Sequence, residues 1–249
     1  MKKTAHDLSP ADLAAMIDHT FLKAAGDPGA VKKLCAEARK YKFACAMVNP
    51  CEVPFAVKAL KGSGVKVGTV IGFPLGQNTA NVKGFEALEA IENGASEIDF
   101  VINVRLLKAA AAEVAKDAKS KKACAALDEE LKGLAATVKT ADATAVSKLI
   151  IETCYLTDDE KLLACKMAKA AGFDYVKTST GFGTAGATVA DVKLMRKAVG
   201  RAMGVKAAGG IRDLDTALAL VKAGATRLGC SAGVEIVEAL SRRIEKESK

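Results

Sequence analysis

Two lysines stand where a lysine could act as a nucleophile. Lys177 follows Phe173-Asp174-Tyr175-Val176 and precedes Thr178-Ser179-Thr180-Gly181; Lys206 follows Gly204-Val205 and precedes Ala207-Ala208-Gly209-Gly210. Each falls late in a short apolar run, just ahead of turn residues. A free lysine amine titrates at about 10.4 and is almost wholly charged at neutral pH. Burial and a neighbouring cation both disfavour the charged form, leaving an amine that attacks carbonyl carbon and forms a Schiff base. Taken singly, each lysine is explained as well by snorkelling or by pairing with a carboxylate. Two such lysines in comparable positions strengthen the chemical reading.

Asp99 sits in Glu97-Ile98-Asp99-Phe100-Val101-Ile102-Asn103. Strand alternation puts Glu97, Asp99, Val101 and Asn103 on one face. A carboxylate in an apolar strand is costly unless paired. An ion pair with a lysine satisfies it, whether that pair serves stability or relays a proton. Asp18 and Thr20, two residues apart, extend the same polar network, and His19 between them points the other way as a structural residue. Glu152 also falls late in its run. Lys66 and Lys148 stand at the starts of theirs and read as solvated lysines on the opposite rim.

A second signal is anionic. Lys206-Ala207-Ala208-Gly209-Gly210-Ile211-Arg212 and Leu228-Gly229-Cys230-Ser231-Ala232-Gly233 are glycine-bearing turns after apolar runs, and the second opens a helix. Backbone N–H groups in such turns approach an anion closely, and a helix N-terminus adds a favourable dipole. Thr180-Gly181-Phe182-Gly183 supplies a third wall. A phosphorylated ligand is expected. No GxGxxG or P-loop pattern points to a nucleotide.

The elements that must position these residues recur in one order. Eight β-prone runs, Met16–Thr20, Phe43–Asn49, Val65–Gly72, Glu97–Asn103, Lys148–Cys154, Asp174–Thr178, Gly204–Ala208 and Arg227–Cys230, alternate with helical patterns. The helical patterns include Asp27–Lys40, Val82–Asn93 (Phe85, Leu88 and Ile91 on one face, Gly94 at the C-cap), Thr157–Ala171 (capping box, then Gly172) and Asp213–Ala223. Leu106–Thr140 reads as one or two helices broken near Ser120. Nearly continuous apolar strands indicate a parallel sheet covered by helices. Eight βα units in 249 residues predict an α/β fold, a single (β/α)8 TIM barrel over residues 1–249, with an extra helix at Ser9–Ala15 before the first strand. The phosphate turns then follow strands six, seven and eight.

Composition removes other classes. Lys plus Arg number 37 against 29 Asp plus Glu, a formal charge of +8, but the lysines are spread along helices and only 4% of residues are aromatic, so no nucleic-acid partner is expected. No apolar run is long enough for a membrane span. Met1-Lys2-Lys3-Thr4 is basic but no apolar signal core follows it, so no export is expected. Seven scattered cysteines without a CxxC, and only His6 and His19, predict reduced thiols, a cytoplasmic protein, no metal and no cofactor.

The chain resembles the deoxyribose-phosphate aldolases, class I aldolases that join acetaldehyde to glyceraldehyde 3-phosphate. Matching stretches are Ile17-Asp18-His19-Thr20, Val70–Gly76, Glu97–Asn103, Ile150–Cys154, Val176–Phe182 with its Lys177-Thr178-Ser179-Thr180-Gly181 core, and Val205–Arg212. They run in family order along nearly the whole chain. The resemblance implies a Schiff base on Lys177, a second lysine at Lys206 that lowers its pKa, and Asp99 as acid/base partner through a water. It implies substrate contacts from Asp18, Thr20, Thr178 and Thr180, phosphate contacts from Gly181, Gly209, Gly210, Gly229 and Ser231, and a homodimer. Three positions depart from the family pattern: Ala207 replaces a common Pro, Met47 a common Cys, and Glu245-Lys246-Glu247-Ser248-Lys249 carries no Tyr. Alternatives are another Schiff-base lyase or synthase on a sugar phosphate, and a non-catalytic phosphosugar-binding barrel.

Overall fold

The computed structural model describes residues 8–117 and 121–247. Eight strands, β1 (Ile17–Phe21), β2 (Cys45–Val48), β3 (Lys66–Ile71), β4 (Glu97–Val101), β5 (Val146–Ile150), β6 (Tyr175–Lys177), β7 (Gly204–Ala208) and β8 (Arg227–Cys230), pair in parallel in sequence order. β8 returns to β1 through Ile17↔Leu228 and Asp18↔Gly229, which closes the barrel. The expected (β/α)8 architecture is the one observed.

Helices α1 (Pro10–Ala14), α2 (Ala30–Tyr41), α3 (Val53–Leu60), α4 (Ala80–Glu92), α5 (Val104–Ala115), α6 (Lys122–Ala141), α7 (Asp158–Ala171), α8 (Val189–Val199), α9 (Leu214–Ala223) and α10 (Gly233–Glu247) surround it. α1 is the extra helix and packs against α10. Local chemistry sets their ends. In α7, Thr157 accepts the Glu160 N–H while the Glu160 carboxylate accepts the Thr157 N–H, satisfying two N-terminal donors reciprocally. Gly172 then takes the left-handed conformation that ends the helix. Small side chains on the inner faces, Ala87, Ala90, Ala110, Ala164, Ala168 and Ala217 among them, are buried. They let helices sit close on the sheet, which is how a core forms with few aromatics. No helix among the described residues is long and apolar enough to cross a membrane.

Several boundaries differ from the sequence expectation. β5 starts at Val146, two residues early, and ends at Ile150, because Glu152 adopts φ +55° and Thr153–Tyr155 form a 3-10 turn. Asn103 lies outside β4 and caps α5, its side chain accepting the Leu106 N–H. α3 and α8 were not distinguished in sequence. In α4 the buried residues are Lys83, Ala87 and Ala90, whereas Phe85 is 72% exposed and Leu88 39%. Of the face read there as apolar, Phe85 and Leu88 line a groove against α6, and Ile91 packs against the core. The region after Leu106 forms α5 and α6, and the expected break near Ser120 lies outside the described residues.

The barrel interior has two sectors. Leu22, Cys45, Met47 and Val70 form a small apolar cluster joined by Phe73. Met47, at the position of a common family Cys, is part of it. Ala207 packs in the main hydrophobic cluster, so its departure from Pro leaves an ordinary buried strand residue. The remaining strands fill the interior with charge.

Candidate active site

The register explains why the two lysines meet. Lys177 on β6 pairs with Lys206 on β7, and Asp99 on β4 pairs with Lys148 on β5. Paired residues project to the same side of the pleat, so all four enter the barrel. Lys177 Nζ and Lys206 Nζ both donate to Oδ2 of Asp99, at 2.8 and 2.7 Å. Lys148 Nζ donates to the other oxygen, Oδ1, at 2.8 Å. Lys206 also reaches Oδ2 of Asp18 at 2.5 Å. Gly229 makes room for this: a Cβ there would stand 3.0 Å from Lys206 Cε.

Below this group Lys148 Nζ is 2.6 Å from Glu97 Oε2. Arg227 Nη1 lies 2.7 Å from Asp18 Oδ1 and 3.1 Å from Glu97 Oε1. The interior charge therefore comprises the carboxylates Asp18, Glu97 and Asp99 and the cations Lys148, Lys177, Lys206 and Arg227. One cation is in excess. The physical consequence falls on Lys177. Burial, assisted by the Lys206 charge and opposed by Asp99, lowers its pKa to about 8. Burial also works against charge on Lys206, but Asp18 and Asp99 outweigh it and its pKa is raised. Lys148 is raised for the same reason, by Asp99, Glu97 and Asp18 acting against burial. Burial would lift Asp99, but Lys148, Lys177 and Lys206 hold it well below the usual carboxylate range.

Lys148 corrects the sequence reading. It was expected on a solvated rim, yet it is completely buried, whereas Lys66, read the same way, is exposed. The two-residue error in the start of β5 is the cause. Lys148 lies mid-strand, level with Asp99. Arg227 and Glu97 were also not assigned to the site, although strand alternation places Glu97 on the Asp99 face and Arg227 on the face of Gly229. Asp18, Cys45 and Glu97 bring ligand-type atoms within 4.8 Å of one another, but Lys148 and Arg227 already supply the cations for both carboxylates.

Above the lysines a cavity of about 480 Å³ opens at the C-terminal ends of the strands. Lys177, Thr20, Thr180, Gly181, Gly209, Gly210, Gly229 and Ser231 line it, together with Arg212. The three glycine-bearing turns after β6, β7 and β8 thus converge. Gly209, at φ +88°, has Gly186 Cα 3.0 Å from where its Cβ would be, so these turns pack backbone to backbone. Asp18 and Thr178 do not line the cavity. Asp18 lies deeper among the charges, and Thr178 Oγ1 is spent on β7, donating to Ala208 O and accepting Ala208 N–H at 3.0 Å each. A smaller adjoining cavity of about 240 Å³ shares Thr180 and Phe182 and is walled by Glu152 and Tyr155. Glu152 fixes that junction by accepting from Thr180 N at 3.1 Å and Thr180 Oγ1 at 2.5 Å. His19 points outward and pairs with Glu37 at 2.8 Å, as a structural residue should.

A closed parallel barrel with a buried lysine of lowered pKa beneath a glycine-walled mouth belongs to the class of barrel enzymes able to attack carbonyl carbon. Residues 12–239 match the DeoC/LacD family aldolase, and the chain belongs to that family. It is 56% identical over 233 residues to a deoxyribose-phosphate aldolase of Bacteroides thetaiotaomicron, covering 94% of this chain and 92% of the relative. It is 50% identical to the corresponding protein of Carboxydothermus hydrogenoformans, over 94% of this chain and 97% of that one. The tetrameric deoxyribose phosphate aldolase structure from Aeropyrum pernix superposes with a TM-score of 0.82 at 34% identity, covering 94% of this chain and 92% of that one.

Proposed function

We propose that this aldolase reversibly cleaves 2-deoxy-D-ribose 5-phosphate to D-glyceraldehyde 3-phosphate and acetaldehyde through an imine on Lys177. The observation that carries this is the charge state of Lys177: with a pKa of about 8 it is the one interior cation ready to lose its proton near neutrality. The free amine adds to C1 of the open-chain sugar, and loss of water gives an iminium. As the C2–C3 bond breaks, its electron pair moves toward the iminium nitrogen and the C3 hydroxyl proton leaves. Asp99, joined to Lys206 by a hydrogen bond at Oδ2, takes this proton up through a water and returns it to C2 of the enamine in the later step. Glyceraldehyde 3-phosphate departs. The enamine left on Lys177 is protonated at C2, and water releases acetaldehyde and restores the amine.

The turns bearing Gly181, Gly209, Gly210, Gly229 and Ser231 hold the phosphate, and Thr20 and Thr180 face the sugar. Binding of this remote group orients the reacting carbon over Lys177. The entire chain, 1–249, serves as one barrel domain, working as a homo-oligomer; the tetrameric relative supports the assembly. Seven free thiols support a reducing, cytoplasmic setting.

The test is borohydride trapping with acetaldehyde followed by peptide mass mapping. A reduced two-carbon adduct is expected on Lys177, and Lys177→Leu should abolish turnover while the barrel stays folded. An adduct on another lysine, or retained phosphosugar binding with no adduct, overturns the assignment.

A further inference from the structure

We propose that Lys148, buried mid-strand at the level of Asp99 and outside the lining of the mouth, is a positioning residue for the amine of Lys177. It acts by anchoring Asp99 and by fixing the charge of the interior. This rests on the imine reading above and adds a residue to it.

Two observations support the role. The first is geometric. Asp99 has two oxygens, and Lys148 occupies Oδ1 while Lys177 and Lys206 share Oδ2. Of these three partners Lys177 becomes the imine and Lys206 takes part in moving the proton, so the hold on Oδ2 changes during the reaction. Lys148, itself clamped by Glu97 at 2.6 Å, gives Asp99 a partner that the reaction does not consume. Asp99 therefore keeps its orientation between the free amine and the iminium.

The second is a matter of charge count. The groups facing the interior are Asp18 on β1, Cys45 on β2, Glu97 and Asp99 on β4, Lys148 on β5, Lys177 on β6, Lys206 on β7 and Arg227 on β8, with Tyr175 of β6 beside Arg227. β3 contributes Gly68 beside Glu97 and Val70 beside Asp99, and no charge. Burial lifts the Cys45 thiol well above its ordinary value, so it stays neutral. Three carboxylates then face three cations that are firmly held, Lys148, Lys206 and Arg227. Protonated Lys177 would be an unmatched fourth. Without Lys148 the protonated form of Lys177 completes the balance, and the amine keeps its proton to higher pH.

The experiment follows the rate of reductive trapping of acetaldehyde on Lys177 by cyanoborohydride against pH, read by peptide mass, in the full-length enzyme. In the unaltered protein the rate rises through a single limb as the amine deprotonates. Lys148→Met should move this limb up by a pH unit or more, which is about a tenfold loss of free amine at pH 7, recovered at high pH. Glu97→Gln removes a carboxylate and should move the limb down. The combined variant, Lys148→Met with Glu97→Gln, removes one charge of each sign and should return it near its original place. A folded Lys148→Met whose rate falls uniformly, with the limb unmoved, overturns the proposal. If Lys148→Met does not fold, Glu97→Gln decides: a limb that stays or rises overturns it. Failure of the unaltered enzyme to trap on Lys177 would instead remove the underlying imine reading.

Discussion

Replacing Lys177 should make this protein more stable at neutral pH. Lys177 is 3% exposed and titrates at about 8, against 10.5 for a free lysine. A lysine whose folded-state pKa is depressed binds its proton more weakly in the folded than in the unfolded chain. Between pH 8 and 10.5 the unfolded state therefore holds more protons, and stability rises with pH across that window. Below it, carrying the charge costs about 3 kcal/mol at about 1.4 kcal/mol per unit of pKa. Lys177→Met keeps the length of the side chain and removes the charge. It also forfeits the hydrogen bond to Asp99 Oδ2, worth about 1 kcal/mol, while Asp99 retains Lys148 and Lys206. The expected result is an inactive variant about 2 kcal/mol more stable at pH 7. That gain should shrink as pH rises and become a loss of about 1 kcal/mol above pH 10.5. Urea unfolding of both proteins at pH 7 and pH 9.5 measures the difference. A stability difference independent of pH, or a variant less stable at pH 7, would refute the claim that the folded barrel disfavours the Lys177 charge.

Ser231→Glu places a carboxylate in the exposed wall of the proposed phosphate cradle; KM for the phosphorylated sugar should rise tenfold or more while kcat/KM for unphosphorylated deoxyribose stays unchanged, and steady-state kinetics with both sugars distinguishes this from general damage. Lys83→Met should destabilise the protein by about 3 kcal/mol in denaturant melts, because Glu130, 2.8 Å from a fully buried Lys83, is left without its cation. A change under 1 kcal/mol would show that water reaches Glu130 readily enough to replace Lys83.

The alternation of strand and helix was legible in the chain because it is local. β-branched apolar runs, capping residues such as Thr157 and terminators such as Gly172 act over a few residues, and right-handed parallel βα units repeated eight times leave few arrangements besides a closed barrel. Lys177, Lys206 and Asp99 were singled out by the same logic, since a charge in a buried strand near its C-terminal end must be paired or used, and the structure brings the three into contact. Lys148 was misplaced because its position depended on a strand boundary, and the left-handed turn at Glu152 that shifts β5 has no glycine to mark it. The substrate contacts expected of Asp18 and Thr178 could not be separated from structural ones, since depth in the barrel and a cross-strand hydrogen bond to Ala208 are not sequence properties.

The sequence by itself thus determined the repeating architecture, the residues able to form an imine, and the three glycine turns. Only the tertiary structure set the two lysines apart in their hold on a proton. Two lysines in similar sequence surroundings end with opposite tendencies, Lys206 raised and Lys177 lowered. Burial works against charge on both, but Lys206 has Asp18 of β1 as well as Asp99 of β4 beside it, whereas Lys177 has Asp99 alone against the Lys206 and Lys148 charges. Coulombic energy depends on distances of a few ångströms between residues as far apart in the chain as Asp18 and Arg227, and those distances exist only once the barrel has closed.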